Sequence, residues 1–313
     1  MCVRLVITDA MWDRIEPLMP TDPVRGRRWA DHRRTLEAIA WKYGTNSPWR
    51  DLPDDLGPFQ TAHKRLIRWA VDGTWERILA AVLSAADADD DIDWTVSVDS
   101  TVVRAHQHAA GARKKGAARP GEPADHALGR SRGGLTTKVH LAADGGARPL
   151  AFTVTAGQAG DAPAFETVMS RIRVPRSGPG RPRTRPFAVL ADRAYSSRAI
   201  RCHLRRRGMR AVIPQPSDQI GHRLLFVGLT VEAWRAAASA APPRNTVERC
   251  INRLKQWRGL ATRTDKLAIA YQGALHLAGI LIRQLLVPPP RASRGGHQRL
   301  GTAPGSRPVI PDP

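Results

Sequence analysis

The chain has 313 residues, and its 49 lysines and arginines exceed its 28 aspartates and glutamates by 21. Hydrophobic residues make up 42% of the sequence, which is enough for a core, but no apolar run reaches the roughly 18 residues that a membrane span requires. The first residues also lack the pattern of a secretory signal. A positive excess of this size favours a polyanionic partner, with nucleic acid as the first candidate.

Residues 1–90 have the apolar spacing of helices. Thr8 or Asp9 is placed to cap a first helix, and a second runs near Arg33 to Tyr43 and ends at Gly44. A third helix is predicted over QTAHKRLIRWAV and a fourth over TWERILAAVLSAA. The first 90 residues therefore form a small helical unit.

The third of these helices is basic, because Lys64, Arg65 and Arg68 lie on its polar side. Three short helices with a basic third one are typical of a helix-turn-helix-like module, and we expect these three side chains to contact DNA. The alternative is a plain helical bundle with a charged solvent face.

The acidic run ADADDDID at residues 86–93 marks a boundary, and we expect its carboxylates to be solvated rather than bound to metal. After it the pattern changes to strands rich in β-branched residues. WTVSVDS, TTKVHLAAD and RPLAFTVTAG are predicted strands, followed by a helix from Asp161. PFAVLADRAY and MRAVIP are two more strands, separated by the helix SSRAIRCHLRRRG, and residues 245–286 are again helical. The order β-β-β-α-β-α-β-α predicts a mixed α/β sheet.

Two aspartates end strongly apolar strands, Asp99 after TVSV and Asp192 after FAVLA. Either residue alone is better explained as an aspartate that caps a turn. The pair favours a site, because the first and fourth strands are neighbours when the first three form a meander and the fourth returns beside the first. Both carboxylates then lie at one edge of the sheet.

Glu248 lies in a helix whose polar residues form one stripe, with the apolar residues on the other side. The stripe consists of Arg244, Glu248, Asn252 and Lys255. An exposed stripe stabilised by i,i+4 pairs is the alternative to a functional surface.

Three carboxylates without a cysteine or histidine cluster suit a hard cation such as Mg²⁺, which takes oxygen ligands and works with phosphates. Two such ions, about 4 Å apart, promote in-line displacement at a phosphodiester. The motifs GxxxxGK[ST] and GxGxxG are absent, so nucleotide hydrolysis and dinucleotide chemistry have no basis in the sequence.

With Asp99, Asp192 and Glu248 in place, the chain resembles the DDE transposases of bacterial insertion sequences, in the four/five superfamily. The matching segments include SVDSTVVRAHQHAAGARKK, GRSRGGLTTKVHLAADG, LADRAYSS and RNTVERCINRLKQWRGLATRTDK. The family pattern of arginine, three residues, glutamate, six residues and lysine is met by Arg244, Glu248 and Lys255. WRDLP and the QTAHKR helix extend the resemblance toward the N-terminus.

The resemblance implies a ribonuclease-H-like catalytic domain over residues 91–287, preceded by a helical DNA-binding domain over residues 1–90. Residues 288–313 are rich in proline and glycine and are expected to form a disordered tail. The resemblance also implies that Asp99, Asp192 and Glu248 bind two Mg²⁺ ions, for which Mn²⁺ substitutes. The activity implied is DNA strand cleavage at terminal inverted repeats, followed by transfer of the freed 3′-hydroxyl to target DNA. The partners are double-stranded DNA and further copies of the chain, and the expected location is the bacterial cytoplasm, at the nucleoid.

Basic stretches provide phosphate contacts outside the carboxylates. Between Arg104 and Lys138 there are eight basic residues and two acidic ones, and Lys114 and Lys115 lie in this segment. Asn252 is assigned to DNA binding together with Arg244 and Lys255. His140 and Arg193 are supporting candidates.

One segment departs from the family. A tyrosine usually stands three residues before the arginine, whereas this chain has Ala241, in an apolar stretch over residues 223–243. We interpret this stretch as the product of two compensating frameshifts. The alternative function is therefore a catalytically impaired relic that still binds DNA, and a third is a nuclease that cleaves without joining.

Overall fold

The structure, a computed structural model, describes residues 6–23, 28–112, 122–215 and 245–285. Lys114, Lys115 and Arg244 lie outside these residues, as do the atypical segment over residues 223–243 and the predicted tail over residues 288–313. The predictions made for them stay predictions. No helix of the described ranges has both the length and the apolar character needed to cross a bilayer.

Four helices form the N-terminal part: α1 (Asp9–Ile15), α2 (His32–Thr45), α3 (Phe59–Val71) and α4 (Thr74–Ala88). The predicted cap of the first is confirmed at Thr8, whose side chain accepts a hydrogen bond from the backbone of Met11. The predicted end of the second helix at Gly44 is wrong. The helix continues to Thr45 and ends at Asn46, which adopts the left-handed conformation with φ of 61°, and a short polar side chain tolerates that conformation.

Seven strands follow: β1 (Thr95–Ala105), β2 (Gly129–Ser131), β3 (Gly134–Ala143), β4 (Pro149–Ala156), β5 (Ala188–Ala191), β6 (Arg210–Val212) and β7 (Thr262–Arg263). Six helices accompany them: α5 (Gln107–Ala110), α6 (Asp161–Ser170), α7 (Arg198–Arg206), α8 (Thr246–Lys255), α9 (Arg258–Ala261) and α10 (Ala268–Leu285). The predicted order of strands and helices is confirmed, with β2, β7 and the short helix α5 as additions. The helical stretch predicted over residues 245–286 is divided into α8, α9 and α10. The first strand is longer than predicted, since it continues beyond Asp99 to Ala105.

The sheet is mixed and has β1 at its centre. β1 pairs antiparallel with β3, and β3 pairs antiparallel with β4, so that these three strands form the predicted meander. β5 returns beside β1 in parallel, and β6 pairs in parallel with β5. This arrangement confirms the expectation that the first strand and the first strand after the meander are neighbours.

One edge of β1 is only partly paired. β5 pairs with β1 as far as Val98, and β7 pairs with it from Arg104 onward. Among the described strands, none pairs with residues 99–103 of β1 on this edge. This open stretch begins at Asp99.

Helix α10 connects the helical part to the sheet. It packs against α3 and α4 on one side and against β4 on the other, and one buried hydrophobic cluster contains residues of both parts. Gly273 lies at the closest approach, because a Cβ atom there would be 3.0 Å from Nε1 of Trp75. A glycine inside a helix costs about 1 kcal/mol of stability relative to alanine. At this position the missing side chain allows α10 to lie close to α4.

We expected the carboxylates of the acidic run at residues 86–93 to be solvated, but two of them have partners within the protein. Asp87 accepts a hydrogen bond from Nε1 of Trp94 at 2.8 Å, and Asp91 pairs with the guanidinium of Arg148. The run therefore fixes the connection between α4 and β1. A count of adjacent acids does not reveal this, since the partners come from other parts of the chain.

Candidate active site

Asp99 and Asp192 lie beside each other at one edge of the sheet. Val98 and Ala191 are partners in the parallel pairing of β1 with β5, and the two aspartates are the residues that follow them. Asp99 is half-buried within β1, whereas Asp192 is exposed just after β5. Oδ1 of Asp192 accepts a hydrogen bond from the backbone nitrogen of Ala194 at 2.9 Å, so that one oxygen caps the next turn.

Glu248 is exposed in the first turn of α8, a helix that packs against β1 and β3. Asn252 and Lys255 are exposed on the same helix, and its buried residues are Thr246, Val247, Cys250, Ile251 and Leu254. The predicted division of this helix into a polar and an apolar side is confirmed for the described residues. The amphipathic pattern arises because the apolar side covers the sheet.

The three carboxylates interact through their charges. Burial is the main cause that raises the pKa of Asp99, and the hydrogen bond from the backbone of Ser100 opposes this effect. The negative charges of Asp192, Asp161 and Glu248 raise the pKa of Asp99 further. Carboxylates from β1, the end of β5 and α8 thus meet in one electrostatic environment.

The donor set consists of carboxylate oxygens, which are the ligands that Mg²⁺ and Mn²⁺ prefer. Within the residues that the structure describes, no three acidic, cysteine or histidine side chains stand at the spacing of ligands to one ion. The residues therefore fit a hard cation by their chemistry and by the sheet edge that they share. Their side chains do not form a closed ligand shell.

Sequence reasoning missed the polar group behind Asp99, where Asp161 was expected only to begin a helix. Oδ1 of Asp161 accepts hydrogen bonds from Oγ of Ser100 at 2.5 Å and from Nζ of Lys138 at 3.1 Å. Nδ1 of His140 lies 3.8 Å from the same oxygen. No local pattern predicts the first contact, because 61 positions separate Ser100 from Asp161.

His140, a supporting candidate, is buried on β3. Its Nε2 lies 2.8 Å from Oγ1 of Thr155 on the neighbouring strand. Burial lowers the pKa of His140 to about 4, although the charge of Asp161 opposes this. The imidazole is therefore neutral near pH 7 and serves the packing behind the carboxylates.

The basic face of α3 differs from the prediction at one position. Lys64 and Arg68 are exposed, but only 6% of Arg65 is accessible to solvent. The guanidinium of Arg65 stacks on the ring of Trp29 at 3.7 Å from its centroid. The expectation that Arg65 lies on the solvent face is wrong, because this side chain holds the segment before α2 against α3. Arg193, the other supporting candidate, is exposed in the turn that follows Asp192.

Comparison with protein families extends this description. A model described as the transposase DDE domain matches residues 91–282, and one described as a putative transposase of the IS4/5 family matches residues 7–79. The chain belongs to the DDE transposase family. The sheet of this transposase, with its central β1, is the mixed α/β sheet that the order of elements predicted.

Three relatives show how far the similarity extends. An uncharacterized protein, y4sN, of Sinorhizobium fredii is 39% identical over 110 residues, which cover 34% of this transposase and 83% of the relative. An uncharacterized 16.2 kDa protein of insertion element IS402 from Burkholderia cepacia is 35% identical over 108 residues, or 32% and 74% of the two chains. A putative transposase for insertion sequence element IS6501 from Brucella ovis is 28% identical over 148 residues, or 47% and 98%.

Two solved structures are also similar at low scores. The Mos1 transposase paired-end complex with left transposon end shares 14% identity, covers 80% of this transposase and 83% of that chain, and has a TM-score of 0.24. The Mos1 strand transfer complex shares 13% identity, covers 84% and 80%, and has a TM-score of 0.23.

Proposed function

We propose that this transposase cleaves DNA strands at the terminal inverted repeats of an insertion sequence and transfers the freed 3′-hydroxyl to target DNA, with Mg²⁺ as its metal. The observation that carries the proposal is the meeting of Asp99, Asp192 and Glu248. Two of them follow paired positions of adjacent parallel strands, and the third lies on the helix that packs over β1.

In this proposal Asp99, Asp192 and Glu248 hold two divalent cations, and Mn²⁺ substitutes for Mg²⁺. Bound ions of this kind supply an activated water or 3′-hydroxyl and stabilise the leaving oxygen in an in-line displacement. The protein contributes the placement of the carboxylates. Asp99 is fixed within a central strand, whereas Asp192 and Glu248 are exposed and accessible to DNA.

DNA contacts are proposed on two surfaces. Lys255 and Asn252 are exposed on α8 beside Glu248, where they would hold the phosphates next to the cleaved bond. Lys64 and Arg68 form the exposed basic part of α3. Arg244, Lys114 and Lys115 are assigned to phosphate contacts from the sequence alone.

The division of labour follows the two parts of the chain. We assign recognition of the repeats to residues 1–90 and catalysis to residues 91–287. The transposase acts as a homo-oligomer that holds two ends together. Because α10 packs against α3 and α4 as well as β4, the two parts share one buried core.

A strand-transfer assay tests the proposal. A labelled duplex that ends in the element's own repeat, with its 3′-hydroxyl already exposed, is incubated with a supercoiled plasmid and Mg²⁺. The proposal predicts labelled, relaxed or linear plasmid products that are lost when the repeat is scrambled. A second duplex, in which the repeat is intact and flanked by other DNA, separates the alternatives. Its cleavage without joining of the first duplex would indicate a nuclease, and repeat-specific binding with neither reaction would indicate a relic.

A further inference from the structure

Ser100 is hydrogen-bonded on both sides of the sheet. It follows Asp99 in β1 and points to the opposite face, because side chains alternate along a strand. Its backbone nitrogen donates to Oδ1 of Asp99 at 2.7 Å, and its Oγ donates to Oδ1 of Asp161 at 2.5 Å. One serine therefore connects a candidate metal ligand to a carboxylate of α6.

Asp161 is itself held in place. Nζ of Lys138 donates to Oδ1 of Asp161 at 3.1 Å and to the backbone oxygen of Ala159 at 2.8 Å. Burial on its own would raise the pKa of Asp161, but the hydrogen bonds from Ser100 and Lys138 and the lysine's charge lower it. Asp161 is thus an ionised acceptor with a matched cation, which makes the bond from Ser100 a charge-assisted one.

These hydrogen bonds lie where one edge of β1 is unpaired among the described strands. Beyond Val98, β1 loses β5 as its partner, and β7 joins it only at Arg104. Asp99 and Ser100 are the first residues of the stretch between them. The bond from Ser100 to the first residue of α6 therefore restrains the strand where pairing on this edge stops, and α6 in turn packs against β1, β3 and β4.

We propose that Ser100 and Asp161 are positioning residues for Asp99. The hydroxyl bond to Asp161 fixes the backbone of β1 at the end of its pairing with β5. The backbone nitrogen of Ser100 then holds Oδ1 of Asp99, which leaves Oδ2 directed for metal binding. The inference rests on the proposed role of Asp99 as a metal ligand.

Hydrogen exchange tests the restraint without requiring activity. In Ser100→Ala and Asp161→Asn, peptides that cover residues 95–105 are expected to exchange faster, while peptides from α4 keep the rate of the unchanged protein. Ser100→Thr retains the hydroxyl on a residue that suits a strand, and it is expected to restore slow exchange. Ser170→Ala is the matched control, because Ser170 lies on the same helix as Asp161 and its Oγ donates to the backbone oxygen of Thr167 within that helix.

Mn²⁺ binding tests the consequence for Asp99. With repeat DNA present, loss of the free-ion signal in electron paramagnetic resonance is expected to require about 10-fold more Mn²⁺ in Ser100→Ala and Asp161→Asn, since partners of metal ligands typically have effects of at least this size. The Kd for DNA is expected to stay unchanged, and Ser100→Thr is expected to bind Mn²⁺ like the unchanged protein.

The proposal is overturned if β1 exchanges at the same rate in all four variants, or if Ser100→Thr behaves like Ser100→Ala. Equal loss of protection in β1 and α4 would also overturn it, because that result shows general destabilisation. Failure of the proposed function is a separate result, namely a protein that binds no Mn²⁺ with DNA while the exchange pattern still follows the hydroxyl.

Discussion

Asp99 and Asp192 follow directly on Val98 and Ala191, which are partners in the parallel pairing of β1 with β5. Acids that directly follow paired positions of two adjacent parallel strands bring like charges together. The pKa of Asp99 is raised by burial and by three neighbouring carboxylates, so the ionised side chain is held at a cost to folding. A carboxylate that lowers stability in this way is expected where function, rather than stability, determines the residue.

Asp99→Asn is therefore expected to stabilise the protein while it removes catalysis. The amide keeps an oxygen for the backbone nitrogen of Ser100 but carries no charge, and we expect a gain of about 1 kcal/mol in the free energy of unfolding at pH 7. Thermal unfolding in the absence of metal measures it. Asp55→Asn, at an exposed position, is the control and is expected to leave stability unchanged. A lower melting temperature for Asp99→Asn would contradict this account of the site.

Lys64→Ala is expected to weaken DNA binding and to reduce the salt dependence of log Kd by about one unit, because an exposed phosphate contact is lost. Arg65→Ala is expected to leave that slope unchanged and to lower the free energy of unfolding by about 1 kcal/mol, through loss of the stacking on Trp29. Fluorescence anisotropy at several salt concentrations, together with urea unfolding, separates the two effects. Equal slopes for Lys64→Ala and the unchanged protein would argue against DNA contact by α3.

The buried His140 is expected to make the folded protein less stable at acidic pH. Its pKa is lowered to about 4 in the folded protein, whereas an unfolded histidine titrates near 6.5. The unfolded state therefore binds the proton first, and stability falls as the pH drops from about 6.5 toward 4. Between pH 7 and pH 5, we expect the free energy of unfolding to fall by up to about 2 kcal/mol less in His140→Gln than in the unchanged protein. Urea unfolding at the two pH values measures it, and parallel losses in both proteins would show that His140 does not contribute.

Arg283→Met is expected to destabilise the protein by about 3 kcal/mol, because it removes one partner of a fully buried acid. Nη2 of Arg283 donates to Oδ2 of Asp144 at 3.0 Å, and neither side chain is accessible to solvent. Arg77→Met breaks an exposed pair with Asp72 and serves as the control, with an expected effect below about 1 kcal/mol. In the double variant with Asp144→Asn, the loss is expected to be smaller than the sum of the two single losses. Additive losses would show that the two residues are not coupled.

The pattern of apolar and polar residues was sufficient to predict the elements that carry the three carboxylates. The alternation in β1, the apolar run of β5 and the two-sided pattern of α8 predicted which elements carry Asp99, Asp192 and Glu248, because burial in a sheet or on one side of a helix selects apolar residues. The neighbouring position of the two strands also followed from the element order, since a three-strand meander leaves one side of its first strand open.

Other features depend on contacts between distant residues, which no local period records. Arg65 is buried because Trp29 lies over it, although the spacing within α3 placed it with the exposed Lys64 and Arg68. The extension of β1 past Asp99 is held by its pairing with β3, which a distant part of the chain supplies. The hydrogen bond between Ser100 and Asp161 likewise requires the fold before it can be seen.

The most direct test of the central claim is Mg²⁺-dependent cleavage of a labelled duplex that carries the element's terminal repeat. The unchanged protein is compared with Asp99→Asn, Asp192→Asn and Glu248→Gln, and with Glu166→Gln as a control at an exposed glutamate of α6. Our account predicts cleavage at the repeat boundary by the unchanged protein and by Glu166→Gln, and its loss in each of the other three with DNA binding retained. Cleavage that persists in any of those three would contradict the claim that these carboxylates form one metal-dependent active site.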